Sequence, residues 1–228
     1  MIFSTKPNRR ETVLGCAYLA VDFLALPYLL SAVNTLFSLP LSSTELNFIY
    51  YFLNFAFILP IFRRYLLQSV KDALRVPFPT VWYALLGYMG NTVLSELLFI
   101  LLILLFPTFA NINDLNIALM LQENFLMVAA GTILLVPVAE ETLFRGLIFR
   151  GLYDRSPVLA YLVSMFSFAA VHVLGYIGHT DPVLIMLSFL QYLPAGYCLC
   201  FAYRRGGSII SPILMHMAVN AVAVYSMR

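Results

Sequence analysis

Apolar stretches long enough to cross a lipid bilayer follow one another along this chain, and they restrict it to a helical membrane bundle. A helical crossing takes about 20 predominantly apolar residues. Seven segments meet or approach that length, at about 13–37, 46–62, 81–106, 124–153, 158–177, 182–203 and 208–227. Composition agrees: 62% of the 228 residues are hydrophobic, 11% are charged, and the mean hydropathy is +0.90, whereas soluble domains carry roughly one charged residue in four. The first segment is too long for the core of a cleaved signal peptide and is read as a retained span. A net charge of +2, with no basic stripe interleaved with exposed aromatics, gives no footing for nucleic acid as a partner. Cys16, Cys198 and Cys200 lie in apolar runs without paired CxxC spacing. They are read as small core residues rather than disulfide partners or thiolate ligands.

The connectors complete the topology. Residues 65–80 mix Lys71, Asp72 and Arg75 with Leu66, Leu67, Val70, Leu74 and Val76 at helical spacing. This is the pattern of an interfacial amphipathic helix, ended near Pro77 and Pro79. The stretch 107–123 is polar, without Lys or Arg, and is read as a loop. With the N-terminus cytoplasmic, the inner ends collect Lys6, Arg9 and Arg10, then Arg63, Arg64, Lys71 and Arg75, then Arg145, Arg150 and Arg155, and lastly Arg204 and Arg205. Of the 13 basic residues only Arg228 then lies outside, the asymmetry expected when cytoplasmic ends keep Lys and Arg. Neither a soluble domain nor an internal repeat interrupts the pattern. Residues 1–228 read as a single all-α domain of about seven transmembrane helices and one interfacial helix.

Against this background the stretch VPVAEETLFRG stands out, because it places Glu140, Glu141 and Arg145 in an apolar run. An ionisable side chain within a bilayer costs about 2.5–3.5 kcal/mol on insertion scales and marks a functional site by default. Glu141 precedes Arg145 by one helical turn, the better orientation for an ion pair on one face. Glu140, turned about 100° from Glu141, lacks that partner and stays free to take a proton. Two later spans add polar groups one turn apart: Phe168 and His172 in FSFAAVH, and His216 and Asn220 in LMHMAVN. A single intramembrane histidine is more often a hydrogen-bonded core residue than a catalyst. Two of them beside a free glutamate and Asn220 share a desolvation cost that mutual contact would relieve. His179, in a GHTD loop, is read as a surface residue. Asp22, alone in the first span, reads either as part of an internal pathway or as a carboxylate packed toward the bundle.

Taken in order, E-E-x-x-x-R, F-x-x-x-H and H-x-x-x-N resemble the three signature boxes of the CAAX protease and bacteriocin-processing family of intramembrane proteases, also called the Abi family. The flanks VPVAEETLFRGLIFRG and YRRGGSIISPILMHMAVN are similar too, and the resemblance covers about residues 126–223. It implies a glutamate-type intramembrane endopeptidase in which Glu140 and His172 hold and activate a water. His216 and Asn220 would stabilise the oxyanion, Glu141 and Arg145 would support the site, and Phe168 would pack beside His172. General-base catalysis of this kind contributes about 10²–10⁴-fold. The implied partners are the bilayer and a membrane-associated peptide or protein, prenylated at its C-terminal tail in some members. No cofactor is implied. The short chain, without a eukaryote-style targeting extension, points to a bacterial cytoplasmic membrane.

Three other readings fit parts of the pattern. Glu140, His172 and His216 form a two-histidine, one-carboxylate set that could hold zinc with an open fourth position, although no HExxH pair is present. A non-catalytic immunity or scaffold protein could bind a peptide in the same cavity. A transporter could relay protons through Asp22, Glu96 and the glutamate pair, but no internal repeat supports it. Serine GxSG and aspartate GxGD boxes are both missing from the sequence.

Overall fold

In the computed structural model, which describes residues 5–228, the regular secondary structure of those residues is all helical. Asn8 and Glu11 open α1 (Arg9–Leu24) with a capping box, each side chain accepting the other's backbone N–H. The first apolar segment does not run straight. It breaks at Ala25, and α2 (Leu26–Leu36) leaves at 50° to α1. Pro27 stands in the first turn of α2, where its missing N–H costs nothing; further into a continuous helix it would remove a bond. A second capping box, Ser42 with Glu45, starts α3 (Ser43–Ile61).

The amphipathic helix is present as α4 (Arg63–Arg75). Its end falls at Arg75, and Pro77 is the first residue of α5 (Pro77–Leu105) rather than the stop of the helix before it. Glu11 ties α4 to α1: one carboxylate oxygen closes the capping box, and Oε1 accepts the Tyr65 N–H at 2.8 Å.

Residues 107–123 are not the expected loop, because α6 (Ile112–Glu123) occupies most of that stretch. Asn111 caps it, its Oδ1 accepting the N–H groups of Asn113 and Asp114, and Asp114 sits favourably near the positive end. The polar residues that made the segment look like a loop have partners elsewhere in the bundle. Asn111 Nδ2 donates to Gln191 Oε1 at 3.0 Å, and the Ile112 N–H donates to Ser188 Oγ at 3.2 Å.

The remaining helices are α7 (Phe125–Tyr153), α8 (Pro157–Leu174), α9 (Pro182–Gly206) and α10 (Ile210–Ser226). α9 packs along α5 and α8, and α10 lies against α5. Gly207, at φ 77°, ends α9 in the left-handed conformation that favours glycine. Among the described residues, α3, α5, α7, α8 and α9 are long and apolar enough to cross a membrane, and the bent α1 and α2 pair makes a sixth crossing if it counts as one. The seventh expected span, α10, has 17 residues and is shorter than the others. It still reaches the interior, since its partners are helices rather than lipid alone.

Basic residues gather at one end of the bundle. Lys6 meets Asp154 at 3.5 Å, Arg150 meets Asp154 at 2.8 Å, and Ser208 Oγ donates to the Ser69 carbonyl at 2.7 Å. These contacts bring together the N-terminus, α4, the end of α7 and the start of α10. Arg145 is an exception to the expected charge pattern: it is fully buried inside the bundle and belongs to no interface. Cys198 and Cys200 are buried as expected, but Cys16 is exposed. On a membrane helix an apolar outer face suits a small residue as well as the core does.

Candidate active site

Glu140 lies about 22 Å along α7 at 1.5 Å per residue, near the middle of the helix. α7 passes into wider π-helical winding on either side of it, at Gly131–Leu135 and Thr142–Phe149. Such segments often occur at functional sites because they re-aim side chains and loosen the regular ladder. At the first of them the Thr132 carbonyl accepts Asn220 Nδ2 at 2.8 Å, which fixes Asn220 of α10 against α7.

Glu141 is 0% exposed and heavily committed. Its Oε1 accepts Arg145 Nη1 at 3.0 Å, the ion pair expected from the spacing, and also His216 Nδ1 at 2.8 Å. Arg145 donates in addition to the Gly196 carbonyl at 3.2 Å and lays its guanidinium over the Phe168 ring at 4.3 Å. A buried ion pair is tolerable when further bonds compensate its desolvation, as these do. His216 thus has Glu141, not Glu140, as its hydrogen-bond partner.

The histidines share an arrangement. Acceptors face Nδ1 of both, the Glu141 carboxylate for His216 and the Phe168 carbonyl, at 2.8 Å, for His172. Each ring therefore carries its proton on Nδ1 and keeps Nε2 for other work. Phe168 joins the group: its ring centroid is 4.7 Å from His172 and 5.7 Å from His216. The other face of His172 stacks on Tyr192 at 4.1 Å. Tyr192 is held in turn by α6, its hydroxyl donating to Asp114 Oδ1 and accepting from Asn113 Nδ2, both at 2.9 Å.

Glu140 contrasts with its neighbour. The Oε2 atoms of both are buried without a hydrogen-bond partner among the described residues, but Glu140 has no counterpart to the paired Oε1 of Glu141. Glu140 lines a narrow cleft with Asp22, Tyr50, Tyr51, Asn54, Leu143 and Phe144. Glu141, Arg145, Phe168, His172 and His216 thus form one connected set, Asn220 is anchored beside it through Thr132, and Glu140 faces the cleft.

Among the described residues no three His, Cys, Asp or Glu side chains are grouped so as to hold a metal ion, the expected Glu140, His172 and His216 included. Reading the sequence alone missed Tyr192, Asp114 and Asn113 behind His172. The one available signal was Asn111 followed by Asp114, a helix start that placed α6 beside the site. His179, read as a surface residue, is exposed.

Residues 122–222 match the family model described as type II CAAX prenyl endopeptidase Rce1-like. This part of the chain is similar to that family. No curated protein and no solved structure matches the chain. The Rce1-like region runs from the end of α6 through most of α10 and includes all seven residues singled out for the site, Glu140, Glu141, Arg145, Phe168, His172, His216 and Asn220. α1 to α5 lie outside it, and with them Asp22, Tyr50, Tyr51 and Asn54. The chain has the long apolar helices of an integral membrane protein and a region similar to CAAX-type endopeptidases.

Proposed function

We propose that this chain is a glutamate-type intramembrane endopeptidase in which Glu140 is the general base, with prenylated C-terminal peptides as the substrate class. The observation that carries this reading is the contrast between adjacent carboxylates. Glu141 is held through Oε1 by Arg145 and His216 and lies off the cleft, whereas Glu140 has no hydrogen bond or ion pair among the described residues and lines the cleft.

In the proposed reaction Glu140 takes a proton from water as the water oxygen bonds to the scissile carbonyl carbon, and His172 Nε2 helps orient that water. The C–N bond then breaks, and the proton held by Glu140 passes to the leaving amine. Asn220 has a second Nδ2 proton beyond the one given to Thr132 and can donate it to the oxyanion. His216 can donate from Nε2 once it holds a second proton, with Glu141 as its counter-ion. One such donor is worth about 3 kcal/mol in a water-poor site. No metal has a part in this scheme. The basic end of the bundle would be cytoplasmic.

The test uses membranes holding the wild type or Glu140→Gln, incubated with a farnesylated peptide ending in a CAAX sequence and read by mass spectrometry. A product from the wild type alone, unaffected by a strong chelator, supports the reading. Equal products from both would make Glu140 dispensable. Binding without cleavage would favour a peptide-binding scaffold, and loss with chelator would favour zinc.

A further inference from the structure

The cleft that Glu140 faces has a second wall built from helices outside the family-matched region. Asp22 of α1 is 5% exposed, and its Oδ1 is buried without a partner. Tyr50 and Asn54 of α3 are its polar neighbours. Asn54 is itself fixed, its Oδ1 accepting the Tyr18 hydroxyl at 2.7 Å and its Nδ2 donating to the Tyr50 carbonyl at 3.1 Å. Asp22, Tyr50 and Asn54 all line the cleft with Glu140. Asp22 therefore sits beside a fixed polar cluster with one oxygen unused.

Two features define what this wall can take. Its unsatisfied groups are acceptors, Asp22 Oδ1 and Glu140 Oε2, and no Lys, Arg or His lines the cleft. The rest of the lining, Val136, Ala139, Leu143, Phe144 and Val171 beside the two tyrosines, is apolar or aromatic. A buried acceptor without a donor is costly, so a ligand that brings an N–H into an apolar slot gains more there than it would in water. A peptide chain laid beside Glu140 brings such a group at every residue except proline.

We infer that Asp22 is a substrate-positioning residue, accepting a backbone N–H of the bound peptide near the scissile bond. The inference rests on the peptidase reading above. It assigns α1 and α3 a role in substrate recognition and makes the protein discriminate against a residue lacking an N–H at one substrate position.

The experiment measures binding in Glu140→Gln protein, so that the peptide stays intact. The probe is a farnesylated CAAX heptapeptide, and a series of the same peptide is N-methylated at one backbone amide at a time. Asp22→Leu in this background should weaken binding of the unmodified peptide about tenfold or more, the usual scale for a lost bond to a charged acceptor. One N-methylated peptide should show a similar loss with Asp22 present and no further loss with Asp22→Leu. The methylated series needs no altered Asp22, and the thermal midpoint of the Asp22→Leu protein shows whether it folds. Binding unchanged by Asp22→Leu, or penalties that add at every position, overturns the inference. Peptide held by the Glu140→Gln protein but not cleaved by the wild type overturns the peptidase reading instead.

Discussion

Glu140 and Glu141 are chemically identical neighbours whose surroundings give them different work. Glu141 is enclosed, with Arg145 and His216 sharing one of its oxygens. Its charge balances a fully buried arginine, so removing it should cost stability as well as activity. Glu141→Gln leaves Arg145 without its counter-charge, and breaking a buried pair in this way typically costs about 3–5 kcal/mol. A lowered thermal midpoint in detergent, together with lost peptidase activity, is expected; an unchanged midpoint would mean that Arg145 is satisfied by other groups. That Glu141, Arg145, Phe168, His172 and His216 come together was legible in the sequence because charge and imidazole are conspicuous in apolar runs and because one-turn spacing puts pairs on one face. The identity of the His216 partner was not legible. It depends on how α7 and α10 pack across a π-helical segment, and neither spacing nor composition signals that packing.

α6 shows how an element can be hidden by its own polarity. Asn113 and Asp114 suggested a loop, yet both hold the Tyr192 hydroxyl, and Tyr192 holds one face of His172. The chain of support runs from the Asn111 cap through Tyr192 to the imidazole. Tyr192→Phe keeps the ring on His172 but cuts its tie to α6, whereas Tyr192→Leu removes the ring as well. Measured kcat should fall by about twofold for the first and by up to about tenfold for the second, an aromatic contact being worth about 0.5–1.5 kcal/mol. Equal kcat for both variants and the wild type would remove Tyr192 from the positioning of His172. The break between α1 and α2 was equally hard to foresee, since Pro27 lies within an apolar run whose length alone suggested one straight span.

At the scale of the whole molecule, the two halves of the chain line one cleft. The Rce1-like region supplies the glutamates, histidines and Asn220, and α1 and α3 close the cleft with Asp22, Tyr50, Tyr51 and Asn54. The halves are also joined at the basic end, where Asp154 accepts from Arg150 and meets Lys6. The Arg150 hydrogen bond, with the nearby Lys6 charge, holds the Asp154 carboxyl below its ordinary range. A depressed folded-state value contributes stability that is present above the unfolded carboxylate pKa of about 3.9 and is lost as pH falls through the lower folded value. Asp154 is exposed, so the effect is small and screened by salt. Asp154→Asn should slightly lower the thermal midpoint at neutral pH and leave it unchanged near pH 3. The same decrement at both values would show that the carboxylate charge is not what joins these ends.

The central claim is that Glu140 activates the attacking water, and single-turnover cleavage of a farnesylated CAAX peptide by purified protein in liposomes tests it most directly. Glu140→Gln should lower the cleavage rate by about 100-fold or more while peptide binding and thermal midpoint stay at wild-type values. A Glu140→Gln protein that cleaves at the wild-type rate would contradict it.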